Sequence, residues 1–268
     1  MTLTLAPMGG LANRMRAVIS AYSLACEVGS DLRVAWVRDK GLNARFCDLF
    51  EPVNLFDIEE VGGWKSILYA PPMKRNLFIP KLLQSGYGQV LFDDRLARLQ
   101  RQPGQLKQMV EGKRVLIGSG LGFYPSDPSL YTAFFVPQEE IREKVEHTLA
   151  GLPSNVVGVH IRRTDNAESI RRSPLGAFVS RMSEFPDAPF YLATDSEDVR
   201  RQLETQFPGR ILTSGRPASR GTLQGMMDAV AEMFILARTS CFLGSYYSSF
   251  SDIILELNGK GEIVCGKP

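Results

Sequence analysis

From residue 139 onward the chain alternates amphipathic stretches with short β-branched apolar runs, and this alternation is what most narrows its fold. Apolar positions recurring at helical spacing predict helices over 139–149, 175–184, 197–207, 223–238 and 250–257. Between them, 156–161, 190–194, 210–213, 241–244 and 262–265 read as strands. Strands separated by single helices pair in parallel through right-handed crossovers, so an α/β fold is expected. Upstream the rhythm is looser. Residues 3–6 and 33–37 read as strands flanking a helix that carries Leu11, Met15, Val18, Ile19, Tyr22 and Cys26 and stops at Gly29. Residues 105–111 read as the end of a helix, and 114–117 as a strand. Prolines and glycines break 52–89 into loops with short strands or helical turns. The stretch 123–137, with Pro125, Pro128 and Pro137, reads as an interdomain linker.

Length and charge bound the function. A chain of 268 residues is expected to form about two domains, here 1–130 and 131–268. Its 31 basic residues nearly balance 29 acidic ones, which argues against a nucleic-acid coat. Cys26, Cys47, Cys241 and Cys265 have no metal-ligand spacing, and Cys26 and Cys241 sit in apolar runs expected to bury free thiols. With only His147 and His160 available, a histidine-rich metal site is not expected. Residues 1–7 do not resemble a signal peptide, and no apolar run reaches the ~20 residues that span a bilayer. A cytoplasmic setting is therefore expected.

Four segments at the ends of expected strands carry possible chemistry. Ligands of open α/β sheets bind just beyond the carboxyl ends of strands. The first segment is Met8-Gly9-Gly10-Leu11-Ala12-Asn13-Arg14, where Gly9 and Gly10 let backbone approach a ligand at a helix N-terminus. The same residues also fit a plain strand-to-helix turn. Gly118-Ser119-Gly120-Leu121-Gly122 is a weaker version with no helix after it. The second is His160-Ile161-Arg162-Arg163-Thr164-Asp165, where two guanidiniums make a fixed clamp for phosphate oxygens or else pair with Asp165 and Glu168. The third is Leu192-Ala193-Thr194-Asp195-Ser196, in which Asp195 is either a helix cap or an acceptor for a nucleobase or sugar donor. The fourth, 244–252, offers Ser248 and Ser249 as a phosphate cradle or as an N-cap pair.

In this order the four segments resemble the GDP-fucose-dependent fucosyltransferase superfamily, nearest the α-1,6-fucosyltransferases of nodulation and N-glycan core type. The α-1,2 and protein O-fucosyltransferases are related to these. Gly9-Gly10-Leu11-Ala12-Asn13-Arg14 is similar to the family's N-terminal G-G-x-x-N loop, and His160 to Asp165 to its H-x-R-R-x-D motif. Residues 191–195 and 248–251 are similar to its later motifs. The resemblance implies a GT-B-like fold of two Rossmann-like domains with parallel sheets facing a central cleft. It implies an inverting, metal-independent transfer of fucose from GDP-fucose to a glycan hydroxyl. No cofactor or nucleic-acid partner is implied. Arg162 would hold the β-phosphate with Arg163 in support, His160 and Asp195 would contact guanine or ribose, and Ser248 and Ser249 would bind phosphate. Asn13 would lie near the reacting sugar. As the nearby carboxylates, Asp165 or Glu168 would take the acceptor's proton, or else Glu168 pairs with Arg171 or Arg172. The N-terminal domain would bind the acceptor. Two alternatives fit the same residues: a GT-B enzyme with another nucleotide sugar, and a non-catalytic nucleotide or glycan binder. A nucleotide-dependent oxidoreductase is more distant, because no complete dinucleotide-binding glycine pattern is present.

Overall fold

The computed structural model describes residues 1–163, 167–214 and 219–266. The chain divides into two compact units, Met1–Val136 with Arg220–Leu223, and Pro137–Ser219 with Gln224–Pro268. Each unit is built on one five-stranded parallel sheet, as the α/β reading expects.

The first sheet contains β1 (Thr2–Pro7), β2 (Asp31–Val37), β3 (Asp57–Val61), β4 (Gln89–Phe92) and β5 (Val115–Ser119) in the order β3-β2-β1-β5-β4. Its central strand β1 is apolar from Leu3 to Ala6 apart from Thr4, and it is buried there, as a strand covered on both faces must be. The helix Leu11–Glu27 packs on β1 and β2 through a stripe that includes Leu11, Met15, Val18 and Ala25. Cys26 is exposed, against expectation, because it falls in the last turn on the far side of that stripe.

The expected linker contains the boundary between the units, after Val136, and the part before it packs into the first unit's core. It carries a helix, Ser129–Phe134, whose rings pack on earlier elements: Phe134 lies 4.7 Å from Tyr22 and 5.1 Å from Phe56, and Phe135 lies 5.2 Å from Phe50. Proline there starts and stops a short helix without freeing the chain. Residues 52–89 do break into short pieces. After β3 come the 3₁₀ turns Gly63–Tyr69 and Lys74–Asn76 and the helix Ile79–Leu83. Leu77 and Phe78 both adopt left-handed backbone, with φ of 51° and 54°, which costs bulky residues about 1–2 kcal/mol each.

The second sheet contains β6 (Val157–Ile161), β7 (Phe190–Thr194), β8 (Ile211–Leu212), β9 (Cys241–Ser245) and β10 (Gly261–Val264) in the order β10-β9-β6-β7-β8. The observed helices Glu139–Ala150, Leu175–Met182, Glu197–Gln206, Leu223–Leu236 and Ser249–Asn258 match the expected ones to within two residues at nearly every end. Val157, Val159, Ile161, Phe190, Leu192 and Leu243 from the sheet meet Phe178, Met182, Val199 and Leu203 from helices in one core. Truncating a ring such as Phe190 there removes about 3–5 kcal/mol. In this sheet β6 is central and β7 and β9 are its neighbours, so the segments after these three strands emerge side by side.

Candidate functional site

The carboxyl edge of β6, β7 and β9 is stitched together by short side-chain bonds. The Arg162 N–H donates to Ser245 Oγ at 3.0 Å, and that hydroxyl donates to the His160 carbonyl at 3.1 Å. Thr194 Oγ1 donates to the Ile161 carbonyl at 2.8 Å. The strand ends are thus held by the chain's own side chains, which is the preorganisation that charge stabilisation requires.

Asp195 serves both arginines. Its Oδ1 accepts the Arg163 N–H at 2.7 Å, and its Oδ2 pairs with Arg162 Nη1 at 3.1 Å. The cap of the helix Glu197–Gln206 is taken by Ser196, whose hydroxyl accepts the Val199 N–H at 3.4 Å, so Asp195 is released for this work. The Arg162 and Asp195 side chains are 17% and 14% exposed, enough for a charged ligand to reach them but too little for water to screen them fully.

The two arginines differ in what they offer. Arg163 donates Nη1 to the Arg162 carbonyl at 2.8 Å and Nη2 to the Ser173 carbonyl at 2.9 Å, and it lies 5.9 Å from the Phe178 ring. It shapes the loop from beneath, leaving Arg162 as the guanidinium aligned with Asp195.

His160 lies behind them, buried, with Nδ1 2.7 Å from Ser251 Oγ and its ring 4.9 Å from Phe250. Burial pushes its pKa down to about 4, Arg162 adds to the fall, and Asp195 works weakly against it, so the imidazole is neutral at pH 7. Ser251 was not among the sequence candidates. Its hydroxyl also accepts the Ser245 N–H at 2.9 Å, and it is fully buried. Gly244 makes room for it: a β-carbon there would sit 2.8 Å from the Ser251 Cβ. Ser248 is the N-cap of Ser249–Asn258 and accepts the Ser251 N–H at 3.4 Å, while Ser249 opens that helix. The fourth segment therefore contains the expected cap, and its last serine, buried Ser251, reaches His160.

Beside this edge, Tyr247 is 70% exposed and holds left-handed backbone, with φ of 55°. Such strain in a bulky residue marks a functional loop more often than a neutral one. Elsewhere in this unit, Asp228 and Glu232 lie on one face of the helix Leu223–Leu236. Asp228 pairs with Lys144, and Glu232 accepts from Ser214 Oγ at 2.8 Å. Burial raises the Glu232 carboxyl to about 7. Neither acid was singled out from the sequence, although spacing by four residues on an apolar helix was the available signal.

Glu168 lies on the exposed helix Ala167–Arg172. It binds Arg171 Nη2 at 2.6 Å and Arg172 Nε at 3.1 Å, and these bonds hold its carboxyl below the ordinary range. That is the charge-paired arrangement weighed for it at the outset, and it leaves Glu168 a weak base. Thr164 and Asp165 lie outside the described residues.

Gly9, Gly10 and Asn13 belong to the first unit. Gly9 has φ of 80°, which only glycine adopts freely, and a β-carbon there would sit 2.8 Å from Asn13 Nδ2. Gly10 is the N-cap of Leu11–Glu27 without a side-chain cap, so its first N–H groups face outward. The glycines at 118–122 pack alongside: Met8 N–H donates to the Ser119 carbonyl at 2.8 Å, and Asp93 accepts from Ser119 Oγ at 2.6 Å. Arg220, unsuspected from sequence, brings its guanidinium carbon within 3.7 Å of where a Gly10 β-carbon would be. Among the described residues no group of three His, Cys, Asp or Glu side chains could hold a metal ion, and no helix is long and apolar enough to cross a membrane.

No family sequence model and no curated protein sequence matches the chain. Solved structures do. NodZ α-1,6-fucosyltransferase soaked with GDP-fucose superposes with a TM-score of 0.67 at 17% identity, over 96% of this chain and 92% of that one. NodZ from Bradyrhizobium gives 0.67 at 18% identity, over 94% and 91%. POFUT1 in complex with GDP-fucose gives 0.55 at 11% identity, over 97% and 94%. At such identities the likeness is one of fold: this chain has the two-sheet, GT-B-like fold of the fucosyltransferases NodZ and POFUT1.

Proposed function

We propose that the chain is a glycosyltransferase that moves fucose from GDP-fucose to a hydroxyl of a glycan acceptor, with inversion and without a bound metal. The observation that carries this reading is the Arg162–Asp195 pair at the carboxyl edge of β6, set over a buried, neutral His160. Structures of the same fold that hold GDP-fucose support it.

In the proposed reaction the acceptor oxygen attacks the anomeric carbon from the face opposite the phosphate. The bond from that carbon to the β-phosphate oxygen breaks, and its electron pair leaves on GDP. Arg162 meets that growing charge, and Asp195 keeps its fork in place during transfer. In the tautomer this reading uses, the Ser251 hydroxyl accepts the Ser245 N–H and donates a hydrogen bond to His160 Nδ1, so the opposite ring nitrogen carries the hydrogen and donates to the nucleotide. The acceptor's proton goes to Asp165, since Glu168 is held by two arginines.

The test is a thermal-shift panel of GDP, GDP-fucose, GDP-mannose, UDP-glucose and NAD. Selective stabilisation by the GDP compounds is expected, worth about 2.7 kcal/mol at a hundredfold excess over Kd. A response to NAD alone overturns the reading. GDP release from GDP-fucose with glycan acceptors, unaffected by EDTA, then tests catalysis. GDP binding without release for any acceptor would assign a binding protein instead.

A further inference from the structure

Half of the large hydrophobic side chains that the described residues expose lie in one stretch. They are Trp64, Met73, Leu77, Phe78, Ile79, Leu82 and Leu83, seven of fourteen. Trp64, Leu77 and Leu82 are more than three-quarters exposed. Soluble chains seldom concentrate apolar surface in this way without a partner for it. The charge of the stretch is equally one-sided. Between Glu60 and Asp93 there is no acidic residue, while Lys65, Lys74, Arg75 and Lys81 are all present and exposed. In a chain whose charges nearly balance, this is a local cationic apolar surface.

The surface is held rather than loose. Pro80 is buried beneath it, and buried Gln84 donates its amide to the Leu68 carbonyl at 3.0 Å and the Ala70 carbonyl at 2.9 Å. Leu77 and Phe78 keep their left-handed backbone through N–H bonds to Lys74 at 3.0 Å and Met73 at 3.1 Å, and that bend leaves both side chains outside.

We propose that residues 63–83 form a membrane-docking surface for an anionic bilayer. Trp64, Leu77, Phe78 and Leu82 enter the interface, and Lys65, Lys74, Arg75 and Lys81 meet lipid phosphates. Bulky apolar groups flanked by lysine and arginine are the signature of a surface that lies on a membrane. A second copy fits less well, because a two-fold contact would set four cations against four.

The chain supplies its own probe. Of its two tryptophans, Trp36 is fully buried, so any lipid-induced change in emission reports on Trp64. Vesicles of phosphatidylcholine with phosphatidylglycerol should co-sediment the protein and shift its emission to the blue. Neutral phosphatidylcholine vesicles, or high salt, should weaken the partition about tenfold. The double variant Leu77→Asp with Phe78→Asp should lose about tenfold or more, with a melting temperature that does not fall, because both sites are exposed and aspartate tolerates left-handed backbone. Lys74→Glu with Arg75→Glu should lose binding while keeping the apolar tip. Failure to bind anionic vesicles, equal binding to neutral ones, or undiminished binding by either variant overturns the proposal. So does light scattering that shows a dimer which the aspartate variant dissolves, since that assigns the surface to a second copy.

Discussion

Arg14 and Arg162 stand just past the ends of the two central strands, β1 and β6, yet they use the same side chain in opposite ways. Arg14 is fully buried. Its Nε donates to the Gly9 carbonyl at 2.9 Å, Nη1 to the Val37 carbonyl and Nη2 to Asp39 at 2.9 Å, and its guanidinium lies 5.3 Å from the Trp36 ring. Arg162 keeps part of its side chain in solvent and faces the Asp195 carboxylate across 3.1 Å. An arginine beyond a strand end is therefore not a ligand by position. What separates the two is burial: solvent still reaches the Arg162 side chain and does not reach that of Arg14.

The sharpest way to break this contrast is Arg14→Ala. Two carbonyls would lose their donor in a dry site, and chemical denaturation should show a loss of about 3–5 kcal/mol. A loss below 1 kcal/mol would mean that Arg14 does not hold the loop. Arg162→Ala should do the reverse, leaving melting nearly unchanged and cutting the proposed fucose transfer by a hundredfold or more, about 3 kcal/mol of barrier. Normal turnover in this variant sinks its role. Arg162→Lys should also be poor, because a lysine cannot reproduce the planar fork.

A smaller effect concerns pH. His160 sits at about 4 in the folded protein against 6.5 when unfolded. Between those values the unfolded chain binds a proton that the folded one refuses, so stability rises with pH and is lost on acidification below 6.5. The loss at pH 5 relative to pH 7 is about 2 kcal/mol. Glu232, raised to about 7, acts in the opposite sense because the folded state holds the extra proton. Melting of His160→Gln beside the parent at both pH values isolates the histidine, and the variant should lose less on acidification. The smallest expected effect is that of Glu168→Gln, whose ion pairs are exposed and whose carboxyl is a weak base. Transfer should change less than twofold, and a collapse in rate would restore Glu168 as the proton acceptor.

Much of the second unit was legible because its strands are unbroken apolar runs and its helices show clear stripes. The strand Phe190–Thr194 was read to the residue. The helix Asp93–Leu99 escaped because only Leu96 and Leu99 of it are buried, and Ala167–Arg172 because Ser169 alone is buried. The chemistry of His160-Ile161-Arg162-Arg163 was visible in its residue types. The division of labour between its two arginines was not, since it depends on Ser173, Phe178 and Asp195, which arrive from other elements. Nor could local pattern reveal that residues 220–223 return to the first unit, or that Ser251 reaches His160 across 91 positions.

That last separation has a consequence for synthesis. A growing chain holds His160 and both arginines long before Ser251 exists, and at roughly 5–20 residues per second the wait lasts about 5–18 s. Through that interval the histidine lacks the hydroxyl that orients it, and for about its first two thirds the first unit lacks Arg220–Leu223. The side-chain network around His160 should therefore close only once Ser251 has been made and can fold.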